Sequence, residues 1–149
     1  MKAKLLFTRS HRIGSIIIRF GTWSSWSHVD LIIGDFVIGS TSDVGVNIVP
    51  MYDRLKHATD YQLMETTDDL TQAQHDQLKQ FMISQLGKPY DWAGIFGLPL
   101  RRDWEKPDRW FCSEILAAGF NKIQYPLIKE ETWRVTPQHL CISPCLVNI

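Results

Sequence analysis

Apolar and polar positions along this chain are patterned mostly as strands in the first half and mostly as helices in the second. Residues 4–8 read as a short strand. Ser10 suits the N-cap of a helical turn over 12–19, which Gly21 should stop. After a polar, aromatic WSSWS segment, residues 28–33 have the β-branched, apolar character of a buried strand. Gly34-Asp35 supplies a turn, and 36–40 form the antiparallel partner. A strand at 44–49, ended by Pro50, extends the sheet, and another follows at 61–65 after a helical turn at 51–57.

Thr71 and Gln74 make a capping box, after which Leu78, Phe81, Met82 and Leu86 recur at helical spacing until Gly87-Lys88-Pro89 ends the element. A short helix is expected at 91–96. Residues 97–108, rich in proline and charge, read as a loop placed to overhang a site. Cys112 opens another apolar helix through Ile115, Leu116 and Phe120, and Thr136-Pro137 starts a final helical turn.

With 149 residues, 44% hydrophobic and 21% charged, the chain fits one packed domain over 1–149. Sixteen basic residues balance sixteen acidic ones, so no global field favours nucleic acid. The amino-terminal stretch lacks the features of a signal peptide, and no apolar run approaches the roughly 20 residues of a membrane span. A soluble, cytoplasmic location is the default expectation. Three cysteines are an odd count, which argues against a disulfide framework.

A thiol attacks as the thiolate, and a helix amino terminus favours negative charge. Cys112 stands at such a junction in RWFCSE, where its own N–H also suits an oxyanion. The plainer reading is an inert cysteine packed beneath Trp110 and Phe111. His28 begins an otherwise apolar strand, a costly place for an imidazole without a task. Its plainer reading is a loop cap bonded to Ser24, Ser25 or Ser27.

Three runs taken in order, Ser27-His28-Val29, then Gly87-Lys88-Pro89-Tyr90-Asp91-Trp92, then Phe111-Cys112-Ser113-Glu114, resemble the circularly permuted branch of the NlpC/p60 papain-like superfamily. That branch, which includes lecithin:retinol acyltransferase-like proteins, places the histidine strand before the cysteine. The resemblance implies an α+β fold, an antiparallel sheet packed against helices. It also implies a cysteine hydrolase, a peptidase or amidase, in which Cys112 attacks a carbonyl, His28 moves its proton, and a thioester acyl-enzyme is resolved by water or another acceptor. No metal or cofactor is needed. Peptide, peptidoglycan-stem or lipid acyl groups are the implied substrates. A lipid-directed acyltransferase or phospholipase, and an inactive binding module keeping the groove, are the alternatives.

Tyr90 matches a tyrosine near the nucleophile that assists the oxyanion or binds substrate, or else is a core residue after its turn. Gly39 falls where relatives often carry a histidine, glutamate or other polar orienter of the imidazole. Ser40 and Thr41 are weak substitutes. Asp30 lies on the same strand face as His28, although strand neighbours usually point in parallel. Glu114 belongs to the resemblance but gains dipole stabilisation wherever its chemistry lies. Trp26, with Trp23, forms either a substrate platform or part of the core. Cys141, Cys145 and His139 lack the spacing of a zinc site.

Overall fold

A computed structural model describes residues 1–92, 108–128 and 135–149. Six strands form one antiparallel sheet: β1 (Lys4–Arg9), β2 (His28–Ile33), β3 (Phe36–Thr41), β4 (Gly45–Pro50), β5 (Asp60–Thr66) and β6 (Leu146–Asn148). Their spatial order is β4-β3-β2-β1-β5-β6. The described helices are α1 (Ile13–Thr22), α2 (Met51–Leu55), α3 (Gln72–Ser84), α4 (Cys112–Lys122) and α5 (Pro137–Cys141). The fold is therefore the expected α+β arrangement.

Alternation along the strands sorts the two faces of the sheet. Leu5 and Phe7 of β1 stand opposite Leu31 and Val29 of β2, and all four belong to the buried core shared with the helices. Leu6 and Asp30, opposite each other in the same ladder, project from the other face. Helix α4 packs on β2 and β3, and α3 packs on α4. Every residue of α4 from Cys112 to Phe120 is buried. Gly119 lets α3 come close, because a Cβ there would meet Leu78 at 2.8 Å and Phe81 at 3.1 Å.

The expected capping box is present, with Thr71 accepting from the Gln74 N–H. Gly34 turns the β2–β3 hairpin with φ of 60°. Four details differ from the sequence reading. The N-cap of α1 is Arg12, without a side-chain cap, and not Ser10. Helix α1 runs past Gly21 and ends at Trp23, in the left-handed region at φ of 52°. Leu86 lies beyond α3 and is 40% exposed. Strand β6 pairs with the edge of β5; its three residues are too few to show a period. The expected helix at 91–96 and loop at 97–108 fall largely outside the described residues.

Candidate active site

Backbone stitching around two loops builds the site. Gly45, at φ of 75°, passes so close to the Lys88 carbonyl that a Cβ would lie 2.2 Å from its oxygen. The Val46 N–H donates to that same carbonyl, at 2.9 Å. Tyr90 and Trp110 form a parallel bridge, the Trp110 N–H donating to Pro89 O and the Asp91 N–H to Trp110 O, both at 3.0 Å. The buried Trp110 indole donates to Gln85 Oε1 at 3.0 Å. The Gly-Lys-Pro-Tyr segment thus fixes the approach to Cys112. Glu114 accepts the Phe111 N–H at 3.2 Å, the helix-start role that its position suggests.

Cys112 is fully buried. Its sulfur lies 3.9 Å from the Ser27 carbonyl oxygen, and the Val29 N–H faces it as well. These two residues flank His28 in the chain. A serine network fixes this entry to β2: Ser15 Oγ donates to Ser27 Oγ at 2.6 Å, and Ser27 Oγ donates to Thr8 O at 3.3 Å.

Electrostatically the thiol departs from the expectation of a helix-activated thiolate. Burial pushes it from an ordinary 9.0 up to about 12, with the Asp30 and Glu114 charges acting in the same direction. The N–H groups of Val29 and Ser113 pull the other way and do not prevail. At neutral pH the resting cysteine is a neutral thiol.

The His28 side chain is only 13% exposed, and its Nε2 lies 2.8 Å from Asp30 Oδ1, an ion-pair contact in which the ring N–H is not aligned for a hydrogen bond. Asp30 is fully buried and receives Arg54 as a fork: Nε donates to Oδ2 at 2.9 Å and Nη2 to Oδ1 at 3.3 Å. Arg54 Nη2 also donates to Asn47 Oδ1 at 3.2 Å. Although its own burial opposes ionisation, the neighbouring His28 and Arg54 hold the Asp30 carboxyl below the usual carboxylate range.

A cleft of about 260 Å³ opens beside these groups, lined by His28, Arg54, Tyr90, Ser27 and Thr41 among others. Tyr90 is 7% exposed, and its hydroxyl finds no hydrogen-bond partner among the described residues. Its ring is held edge-on by Trp92 and Phe111, at 5.2 and 5.6 Å between centroids. Burial, then the charges of Cys112 and Glu114, push this phenol well above its ordinary value, so it is a donor at physiological pH.

The weak orienter candidates are engaged elsewhere. Ser40 Oγ donates to Trp110 O at 2.9 Å. Thr41 Oγ1 donates to Gly45 O at 3.3 Å and accepts from Asn47 Nδ2 at 2.8 Å. The serine ties β3 to the segment before Cys112; the threonine braces the β3–β4 turn. Trp26 is absent from the cleft lining. It packs on Phe7 at 6.4 Å under the Arg9 guanidinium at 5.6 Å, so its substrate-platform reading gives way to core packing. Its partner in that reading behaves oppositely, Trp23 being 92% exposed.

Arg54 and Asn47 carry no local motif, and sequence reasoning missed them. Asp30 did have a signal, a carboxylate in an otherwise apolar strand, which burial tolerates only with a partner.

A central strand that opens on a histidine, followed later in the chain by a helix that opens on a buried cysteine and packs on that strand, is the order of a permuted papain-like fold. Residues 2–147 match the family described as permuted papain-like amidase enzyme, YaeF/YiiX, C92, and the chain belongs to that family. It is 25% identical over 167 aligned positions to the "Probable lipoprotein peptidase YaeF" of Escherichia coli K12. The alignment covers 91% of this chain but only 61% of that relative's length. A crystal structure titled "metalloprotein yiiX", from Escherichia coli O157:H7, superposes with a TM-score of 0.76 at 22% identity, covering 100% of this chain and 96% of that one. That likeness shows the fold. In this chain, no three histidine, cysteine or acidic side chains cluster as metal ligands among the described residues. Among the same residues, no helix is long and apolar enough to cross a membrane.

Proposed function

We propose that this protein is a cysteine peptidase or amidase in which Cys112 is the nucleophile and His28 its base. The observation that carries this reading is the placement of the Cys112 sulfur against the Ser27 carbonyl and the Val29 N–H, the two peptide groups flanking His28. Because the thiol is neutral at rest, the proton leaves as the sulfur attacks. His28 accepts it, the Cys112 sulfur bonds to the substrate carbonyl carbon, and the carbonyl oxygen becomes an oxyanion. The Tyr90 hydroxyl is the donor for that oxygen, which explains a buried phenol otherwise without a partner. Collapse expels the amine with the proton from His28 and leaves a thioester. Water, deprotonated by the same histidine, releases the acid.

Hydrolysis of a panel of peptide amides, N-acyl amides and acyl esters tests this. Turnover of at least one class by the wild type, lost in Cys112→Ala, is the expected result. Turnover that persists in the correctly folded variant overturns the reading.

A lipid-directed acyl substrate is the second reading, and one surface favours it. Helix α1 exposes Phe20 at 86% and leads to Trp23 at 92%, while its Gly14, Ser15 and Ile18 line the cleft. The chain up to Val29 carries Lys2, Lys4, Arg9, Arg12 and Arg19 and no acidic residue, and of these Lys2 and Arg9 are paired with Glu65 and Asp60 of β5. Aromatic and aliphatic side chains on a basic segment suit an anionic bilayer surface. Co-sedimentation with phosphatidylglycerol vesicles, weakened in Phe20→Ser/Trp23→Ser and absent with phosphatidylcholine alone, supports this reading. Equal recovery with and without vesicles removes it.

A further inference from the structure

We infer that Asp30 orients the His28 imidazole from the same strand, and that Gly39 is glycine because the Asp30 carboxylate occupies the room a side chain would need there. This inference rests on the Cys112–His28 reading and adds the group that prepares the base.

Two side chains two apart on a strand stand side by side, so one reaches the other only if a third element bends or pins it. Here the pin is Arg54, on helix α2, whose Nε holds Asp30 Oδ2 at 2.9 Å. The other oxygen is thereby placed 2.8 Å from His28 Nε2. Asn47 steadies the arginine, accepting from Nη2 at 3.2 Å, and its own amide donates to Gly45 O at 2.7 Å. Asn47 stands opposite Gly39 in the β3–β4 ladder. Arginine, asparagine and aspartate therefore meet across Gly39, a strand position that bears no side chain.

The glycine is a steric requirement of this arrangement. A Cβ on Gly39 would lie 2.3 Å from Asp30 Oδ1 and 3.2 Å from its Cγ. No conformational demand explains the glycine, since Gly39 is not among the positive-φ positions. The orienting carboxylate thus comes from the histidine's own strand, and the facing strand yields the space.

Electrostatically, a carboxylate 2.8 Å from Nε2 favours the tautomer that carries its proton there, although no aligned hydrogen bond joins the two. Nδ1 is then the free lone pair that accepts the cysteine proton. Arg54 neutralises the carboxylate's charge in the interior. Asp30 is a positioning residue that acts through His28.

Long-range 1H–15N NMR of His28 tests this without any substrate. The wild type should show the neutral ring protonated at Nε2. Asp30→Asn should give mixed tautomers, and where turnover is measurable kcat should fall about 10²- to 10⁴-fold with little change in KM. Asp30→Asn/Arg54→Gln removes both charges together and covers the case in which the single variant does not fold. Asp30→Gly/Gly39→Glu should restore the Nε2–H tautomer from the facing strand. An unchanged tautomer in a folded Asp30 variant overturns the inference. Wild-type enzyme that turns over no substrate while its His28 tautomer responds to Asp30 would count against the enzyme reading alone.

Discussion

The two halves of the candidate site are built from opposite materials. Cys112 sits in the dry layer between sheet and helices, its sulfur facing backbone, with burial opposing its ionisation. His28 sits at the cleft within an ion-paired network of Asp30 and Arg54. One half stores no charge; the other holds fixed charge. On the proposed mechanism, the contrast means that the thiolate forms during the reaction and is not preset. A helix amino terminus lowers a thiol's pKa where water or cations share the site, but in a fully enclosed position desolvation outweighs it.

The comparison is broken most severely from the charged side. Arg54→Ala leaves the Asp30 carboxylate buried without its guanidinium partner, and stability should drop by about 3–5 kcal/mol. Equilibrium denaturation in urea measures it. A loss below about 1 kcal/mol would mean that water reaches Asp30 and that the network is not enclosed.

Tyr90→Phe separates chemistry from packing. Loss of an oxyanion donor should cost about 10²- to 10³-fold in kcat. Stability should hold or rise, because the variant removes a buried hydroxyl that has no partner among the described residues. Stability that falls with kcat unchanged would make Tyr90 a core residue.

The dry side has its own signature in alkali. A thiol raised to about 12 keeps its proton in the fold while the unfolded chain loses it near 9. Its contribution is therefore fully present below pH 9 and erodes as pH rises toward 12. By pH 10.5 the wild type should lose about 2 kcal/mol from this source. Tyr90, also raised, adds to the loss from about pH 10 upward. Cys112→Ala should lose less than the wild type between pH 7 and 10.5; identical losses would show that the thiol is not desolvated.

The β2–β3 hairpin, the capped α3 and the helix opening at Cys112 were legible because each carries a local signature: a Gly turn, a capping box, a period. Strand β6 and the true stop of α1 were not. A three-residue edge strand has no period, and α1 stops on Trp23, a non-glycine residue in the left-handed region whose N–H returns to Arg19 O. Of the residues the sequence singled out, His28 and Tyr90 line the cleft, while Cys112 is fully buried and is not among the lining residues. Ser40 and Thr41 drew notice by adjacency, yet their hydroxyls are bound elsewhere. Arg54 reaches Asp30 from 24 residues away, a contact that only folding creates.

Acyl-enzyme trapping tests the central pair most directly. The protein is mixed with an activated acyl ester such as p-nitrophenyl acetate, quenched in acid, and read by intact-mass and peptide mass spectrometry. The account predicts one acyl group on Cys112, removed by hydroxylamine, formed far more slowly in His28→Ala and not at all in Cys112→Ala. Acylation of Cys112 at the same rate in folded His28→Ala, or labelling confined to other residues, would contradict it.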